Sequence, residues 1–154
     1  MHHIRVGGEG ADFFTLAIRE RQFPEATDYW KANWLTCDVE VSAGAFRGAF
    51  GAVIRNEALD RFLRGLRLLY EGASGTATLE EPNWLSVDVF AEGDNQMKVW
   101  CQVSDNCNNL ECNLALDRVN LLTIIQQIER VCTTYPVVAY PATKPITPCE
   151  DRGR

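Results

Sequence analysis

The sequence predicts an α+β fold, in which an antiparallel sheet of about seven strands carries two helices packed on one face. Three observations favour this class. Short segments have an apolar residue at every second position, two longer segments have apolar residues at helical spacing, and the short segments are joined by turns of hairpin length. The chain has 154 residues, which suits one domain with one core. We therefore expect a single domain over residues 1–135.

The first half of the chain contains three predicted strands and a helix. Residues 13–19 and 34–42 both alternate between apolar and polar positions, as half-buried strands do. A turn leads from the second of these strands into residues 45–54, which predicts an antiparallel hairpin. The helix follows directly, with Asn56 as its expected cap. Its apolar residues recur at helical spacing: Leu59, Phe62, Leu63, Leu66, Leu69 and Tyr70.

The second half repeats this plan with one additional strand. Strands are predicted over residues 75–80 and 84–91, then over a segment around 97–103 and another around 110–116. Asp117 is expected to cap the second helix. The buried stripe of that helix is predicted to contain Leu121, Ile124, Ile125, Ile128, Val131 and Cys132.

The segment NWLTCDV, residues 33–39, returns as NWLSVDV, residues 83–89. The two segments are expected to hold matching places in the order of elements, which favours an internal duplication of the whole unit. Chance is the other explanation, because short similarities arise readily among β-rich sequences. The repeat therefore leaves both origins open.

The chain is acidic, with 21 Asp and Glu residues against 15 Lys and Arg residues and a formal net charge of −6. This balance disfavours nucleic acid and anionic membranes as partners and favours a basic protein, whose encounter it would accelerate. Neither an apolar run typical of an export signal nor one long enough to span a membrane is found. We therefore expect a cytoplasmic protein.

No constellation of residues in the sequence points to catalysis. The two histidines, His2 and His3, lie at the start of the chain outside any predicted element, which excludes a nucleophile and histidine pair. The six cysteines are expected to be reduced thiols, and Cys101, Cys107 and Cys112 lack the spacing of zinc ligands. The sequence thus predicts no catalytic, cofactor-binding or metal-binding residues, and no enzyme.

The best candidates for partner binding lie on the polar side of the repeated strands. Alternation places Trp34, Asp38 and Glu40 on one outer face, and it places Trp84 and Asp88 in the same way on the other repeat. Tryptophan is enriched at binding hot spots. The competing explanation is structural, with each indole covering the end of a sheet or packing beneath a loop.

Residues 136–154 contain four of the six prolines, which predicts an extended C-terminal tail rather than a further element. Two segments of this tail, at Val137–Val138 and at Tyr140, are apolar enough to fasten it to the domain or to a neighbour.

Three motifs together resemble the WapI-like immunity proteins of bacterial contact-dependent toxin systems. They are DYWKANWL at residues 28–35, VSAGAFRG at residues 41–48, and ALDRFLRGLRLLYEGASGTA at residues 58–77. The resemblance covers residues 10–135. It implies a non-catalytic cytoplasmic protein, without cofactor, that binds and blocks a cognate toxin domain. A basic nuclease would be one toxin suited to the acidic surface of this chain.

Two other functions stay open at this point. One is a structural or regulatory module that forms a homodimer through its open sheet face or an exposed edge strand. The other is a protein that binds a small ligand on the open sheet face, in a pocket between tail and sheet lined by Trp34, Trp84 and carboxylates.

Overall fold

The structure is a computed structural model, and it describes residues 1–7, 10, 12–93 and 95–139 of the chain. In chain order its elements are β1 (His2–Val6), β2 (Phe13–Arg21), α1 (Tyr29–Ala32), β3 (Trp34–Ala43), β4 (Phe46–Arg55), α2 (Asn56–Tyr70), β5 (Thr76–Glu81), β6 (Leu85–Ala91), β7 (Gln96–Ser104), β8 (Asn109–Asp117) and α3 (Arg118–Thr134). The part of the predicted tail from residue 140 to residue 154, including Tyr140 and Cys149, lies outside the described residues.

The eight strands of the described chain form two antiparallel sheets of four strands each. Sheet A has the order β1-β2-β3-β4 and sheet B the order β5-β6-β7-β8, so neighbours in sequence are also neighbours in each sheet. Each sheet is followed by a long helix, α2 or α3. The predicted α+β class is confirmed, although the strands form two sheets of four where the sequence suggested about seven strands in one sheet.

Strand β1 is the strand that the sequence did not predict. Its side chains Ile4 and Val6 are fully buried, and it pairs with β2 along its whole length. The expectation that His2 and His3 lie outside any element was therefore wrong, because both belong to β1. The segment HHIRV contains only two apolar residues, so its alternation is too short to be recognised without its partner strand.

The two NWL segments do not occupy equivalent strands. Trp34 opens β3, the third strand of sheet A, whereas Trp84 lies just before β6, the second strand of sheet B. The expectation of matching places was therefore wrong, because the strand missed in the first half shifts the count by one. Each half is nevertheless four strands followed by a helix. This shared architecture, and not the repeated motif, is what supports a duplication.

Both sheets and both long helices share one hydrophobic core. The inner faces of β2 and β3 contribute Phe14, Leu16, Ile18, Leu35, Cys37 and Val39, and those of β6 and β7 contribute Val87, Val89, Val99 and Cys101. Helix α2 contacts β5 and α3, while α3 contacts β1 and β8. Gly65 permits the close approach of α2 to β5, because a Cβ at this position would lie only 2.9 Å from the Cβ of Ala77.

The two long helices start in different ways. Asn56 is the first residue of α2 and not its cap, so that prediction was wrong. Its side-chain amide instead donates hydrogen bonds to the carbonyl oxygens of Tyr135 and Pro136, at 2.9 and 3.1 Å. Asp117 caps α3 as predicted, since its carboxylate accepts a hydrogen bond from the main-chain N–H of Asn120 at 2.8 Å and the side chain of Asn120 completes a capping box.

Candidate functional site

Strand β4 forms an edge of sheet A, because β3 is its only strand partner among the residues that the structure describes. Two main-chain groups near its end show which residues face away from β3. The N–H of Arg55 donates to a carboxylate oxygen of Glu81 at 2.8 Å, and the carbonyl oxygen of Val53 accepts a hydrogen bond from the indole Nε1 of Trp84 at 3.0 Å. Both groups lie on the side of β4 that faces away from β3, and both form hydrogen bonds with side chains from the second half of the chain.

The same side of β4 is open nearer its start. In an antiparallel pair, the main-chain groups of alternate residues point away from the partner strand. Since Val53 and Arg55 point outward, the N–H and C=O groups of Ala49 and Gly51 point outward as well. No hydrogen-bond partner for these four groups occurs among residues 1–7, 10, 12–93 and 95–139. Within that part of the chain, they form a row of unpaired main-chain groups at the surface.

A groove runs along this open edge. It consists of two adjoining cavities of about 380 and 370 Å³, which share Phe50, Ser104 and Asp105 in their linings. One wall is β4 from Phe46 to Val53. The other wall is formed by the turn before β6, which contains Trp84, and by the turn between β7 and β8. We call this feature the β4 groove.

Small side chains keep the β4 groove open. Strand β4 has the sequence FRGAFGAVIR, with Gly48 and Gly51 among its groove-lining residues. A Cβ at Gly48 would lie 3.6 Å from Val41, and one at Gly51 would lie 4.0 Å from the carbonyl oxygen of Cys37, both ordinary contacts. Neither glycine has a positive φ. The fold therefore does not require glycine at either position. The absence of side chains at Gly48 and Gly51 leaves free space beside the strand.

The structure brings together two of the residues predicted from the sequence, Trp34 and Trp84, which line the same cavity. The Trp34 indole donates to the carbonyl oxygen of Trp30 at 3.0 Å, and the guanidinium group of Arg55 lies 5.5 Å from its ring centre. The ring of Trp84 packs edge-on against Phe50, with the ring centres 5.9 Å apart. Trp84 thus also has the structural role of joining sheet B to the edge of sheet A.

The three predicted carboxylates do not line the β4 groove. Asp38 and Glu40 lie on the outer face of sheet A, where Asp38 pairs with Arg19 and Glu40 lies 4.0 Å from the guanidinium group of Arg47. Asp88 lies on sheet B and accepts a hydrogen bond from the hydroxyl of Thr78 at 2.8 Å. Trp34, Asp38 and Glu40 therefore share the outer face of β3, as the alternation predicted, while Trp84 and Asp88 belong to sheet B and only Trp84 reaches the β4 groove.

Two other acidic residues line the groove and were not singled out from the sequence. Glu81 is buried, and this burial raises the pKa of its carboxyl group in spite of the nearby Arg55. Asp105 is exposed in the turn after β7, where the main-chain N–H groups of Asn108 and Cys107 lower the pKa of its carboxyl group. Glu81 carried a recognisable signal, because it occupies the inward register of Ala77 and Leu79.

The asparagine of the first NWL segment fastens the end of the described chain. Asn33 is buried, and its side-chain oxygen accepts from the N–H of Val138 at 2.7 Å, while its amide donates to the Val138 carbonyl at 2.9 Å. Asn56 donates to the same side-chain oxygen of Asn33 at 3.3 Å. The predicted fastening of the tail near Val138 thus occurs through the main chain.

The cysteines of the described chain are free thiols. Cys101 lies directly opposite Cys112 on the neighbouring strand, and the hydrogen bond with Cys112, together with burial, raises the pKa of the Cys101 thiol. Burial also raises the pKa of Cys37 to about 12 and that of Cys132 to about 11. No group of three or more metal-ligating side chains exists in the part of the chain that the structure describes. Within that part, no helix is long and apolar enough to cross a membrane.

Comparisons with known proteins give one family match. No curated protein sequence matches the chain. Its fold is similar to a chain in crystal structures of Trypanosoma bruciei MRP1/MRP2, at 11% identity and a TM-score of 0.49, covering 87% of this chain and 84% of that chain. It is also similar to a chain in the structure of a guideRNA-binding protein complex bound to a gRNA, at 12% identity and a TM-score of 0.48, covering 86% and 87%. The model of the immunity protein WapI-like family matches residues 4–136, so this chain belongs to that family.

Proposed function

We propose that this protein is a non-catalytic immunity protein of the bacterial cytoplasm, which binds a cognate toxin domain and blocks its activity. The observation that carries the proposal is the family match over residues 4–136. Because the match includes both sheets and both long helices, the family assignment applies to the whole fold. Neutralisation by binding requires a surface that recognises another protein, and the open edge of sheet A is the surface that we assign to this role.

The charge of the protein supports a basic toxin as the partner. The formal net charge is −6, and acidic side chains lie on the outer face of sheet A, at Asp38 and Glu40, as well as at Asp105 in the β4 groove. A field of this sign accelerates association with a positively charged protein and selects it over acidic ones. Nucleases carry positive surfaces to bind the phosphate backbone, so a nuclease domain fits this requirement.

Recognition by the aromatic and acidic residues of sheet A is part of the proposal. Trp34 and Trp84 line one cavity of the β4 groove, and Asp38 and Glu40 lie on the outer face of the same sheet. Desolvated tryptophans contribute strongly to binding, and exposed carboxylates mainly increase the rate of association. Asp88 lies on sheet B and would contribute only to the long-range electrostatic attraction of the toxin.

The direct test is cell survival. We would express the C-terminal domain of a large secreted protein encoded beside this chain, first alone and then together with the chain. Recovery of growth with this protein, and not with an unrelated immunity protein, is the expected result. If a toxic neighbouring domain kills cells equally with and without this chain, the proposed function is wrong for that pair.

Two variants test which residues bind. Trp34→Ala and Asp38→Lys should each weaken toxin binding while leaving the melting temperature nearly unchanged. Glu111→Lys is the matched control, since it makes the same charge change at an exposed position of β8 on sheet B. Loss of affinity with Asp38→Lys but not with Glu111→Lys would assign binding to sheet A. Equal losses would instead indicate a general effect of net charge.

A small ligand is the second candidate, supported by the cavity of about 370 Å³ that Trp34 and Trp84 line. This volume is within the range of small-ligand sites. A ligand stacked there would change the fluorescence of both indoles, so titration of the purified chain with a metabolite mixture tests this function. Unchanged fluorescence in the native chain and a Trp100→Phe variant would exclude it for the compounds used.

A further inference from the structure

The open part of β4 has the chemistry of a strand that lacks its neighbour. The outward N–H and C=O groups of Ala49 and Gly51 have no partner within the described ranges. Unpaired main-chain groups at a sheet edge are a template for another extended chain, since only a strand supplies donors and acceptors at the same spacing. An extended backbone is therefore the occupant whose hydrogen bonds match this edge.

The open part has defined ends. Toward the end of β4, the outward carbonyl oxygen of Val53 and the outward N–H of Arg55 are already bound by Trp84 and Glu81. Toward its start, Phe46 is exposed and lines the cavity of about 380 Å³, which we call the first cavity. The intervening strand from residue 46 to residue 53 spans roughly 25 Å at the usual rise per residue. This length accommodates an added strand of about six to eight residues.

The walls of the β4 groove set the side chains that such a strand would carry. On the core side, the first cavity is lined by Val41, Phe50, Val103 and Leu110. Successive side chains of a strand point to opposite faces, so every second residue of the added strand would enter this apolar lining. The residues between would face the outer side of sheet A, where Ala49 and Gly51 leave space. The fitting segment thus alternates apolar and polar residues.

Charge favours a toxin strand over a second copy of this chain. Two copies paired edge to edge would each bring a formal net charge of −6, whereas a basic toxin segment would be attracted. Asp105 is positioned to contribute locally, because it lines both cavities and the adjacent N–H groups favour its charged form. A basic residue at one of the polar positions of the strand would lie near this carboxylate.

We infer that the toxin domain adds one extended segment to the free edge of β4, as a fifth strand of sheet A held in the β4 groove. This inference rests on the proposed function and deepens it by naming the mode of recognition. Main-chain hydrogen bonds to Ala49 and Gly51 set the register of the added strand. Phe50, Val103 and Leu110 then select its apolar side chains.

Hydrogen exchange tests this inference at the main chain. The probe is the same neighbouring C-terminal domain that is used in the survival test, with its activity removed by mutation. In the free chain, the amide hydrogens of Ala49 and Gly51 should exchange rapidly, because the described part of the chain offers them no acceptor. In the complex, their exchange should slow by at least about tenfold, the change that corresponds to roughly 1.4 kcal/mol at each site.

Proline supplies a matched pair of variants. Ala49→Pro removes an outward N–H without removing a β3–β4 hydrogen bond, and proline is tolerated at such edge positions. His3→Pro makes the same kind of change on β1, the opposite edge of sheet A, at another exposed residue. We expect Ala49→Pro to weaken toxin binding by at least about tenfold and His3→Pro to leave it unchanged.

A third variant guards against a folding defect. Gly48→Leu keeps every main-chain donor and fills the first cavity, where a Cβ has only an ordinary contact with Val41. It should weaken binding while the thermal melt stays cooperative. Agreement between Ala49→Pro and Gly48→Leu, with both chains folded, would support an added strand in the groove.

The outcomes separate the two proposals. If the chain rescues cells but β4 gains no protection and both variants bind normally, the added strand is wrong and the immunity function stands. If the chain neither binds the toxin domain nor rescues cells, both proposals fail. Protection of Ala49 and Gly51 in the free chain would overturn the inference in favour of the protein's own tail. Protection that appears only at high protein concentration would overturn it in favour of a second copy.

Discussion

The side-chain oxygen of Asn33 accepts a hydrogen bond from the main-chain N–H of Val138 at 2.7 Å. The first NWL segment therefore binds the segment that follows α3. The same amide donates to the carbonyl oxygens of Tyr29 and Val138, each at 2.9 Å. Because these hydrogen bonds are partly buried, each of these groups would lose a partner that water replaces only in part if the amide were removed. Asn33 therefore joins the start of β3 to the segment after α3.

The two asparagines of the repeat provide the first prediction. Asn33→Gly should lower the free energy of unfolding by about 2 to 4 kcal/mol, since it leaves several partly buried polar groups without a partner. Asn83→Gly should be neutral or slightly stabilising, because Asn83 is exposed and has a φ of 81°, which glycine adopts without strain. Urea unfolding of both variants measures the difference. Equal effects would show that the hydrogen bonds of Asn33 contribute nothing beyond its conformation.

The contrast between these asparagines also shows what sequence can predict. Strand β3 was recognisable because apolar and polar residues alternate along most of its length. Helices α2 and α3 were recognisable because their apolar residues recur at helical spacing over several turns. The repeated letters NWL suggested equivalence, but one asparagine is buried after α1 and the other lies in a turn. The surroundings of a residue depend on contacts between distant segments, which a local pattern does not contain.

The site was only partly accessible to sequence reasoning for the same reason. The tryptophans were recognisable by residue type, and both line the β4 groove. The groove itself depends on β4 being an edge strand and on two turns of sheet B facing it. No periodicity encodes which strand lies at an edge. Of the two acidic groove residues that were not singled out, Glu81 and Asp105, only Glu81 carried a signal in the sequence, as a charged residue in an inward register.

Trp84→Phe tests the joint between the two sheets. Phenylalanine retains an aromatic ring against Phe50 but removes the donor that binds the Val53 carbonyl. We expect the free energy of unfolding to fall by about 1 kcal/mol, the usual contribution of one hydrogen bond. Trp100→Phe is the control, because Trp100 lies on the outer face of sheet B and the described chain offers its indole no acceptor. Similar losses in both variants would contradict the role of the Trp84 indole.

Thiol labelling tests the burial of the cysteines. Burial raises the pKa of the Cys37 thiol to about 12, so at pH 8 this residue is almost entirely protonated and shielded from reagents. Cys107 is exposed in the turn after β7. With an aromatic disulfide reagent on the native protein, Cys107→Ser should remove one rapidly reacting thiol and Cys37→Ser none. Rapid labelling of Cys37 would show that sheet A opens easily at this point.

The pH dependence of stability tests the buried carboxyl group of Glu81. Burial raises the pKa of Glu81 in the folded protein, so the folded chain holds this proton more tightly than the unfolded chain. The stability associated with that proton is fully present below the unfolded pKa. It is lost as the pH rises through the raised folded pKa, since ionisation then occurs in a dry environment.

Glu81→Gln should remove this dependence, because the amide is neutral at every pH and its oxygen can still accept from the Arg55 N–H. We expect the variant to match the native protein in urea unfolding at about pH 4 and to exceed it at pH 7. The comparison isolates Glu81 from Glu57, whose pKa is lowered by the hydroxyl of Tyr29 and whose contribution has the opposite sign. A variant less stable than the native protein at pH 7 would mean that the attraction to Arg55 outweighs the cost of burial.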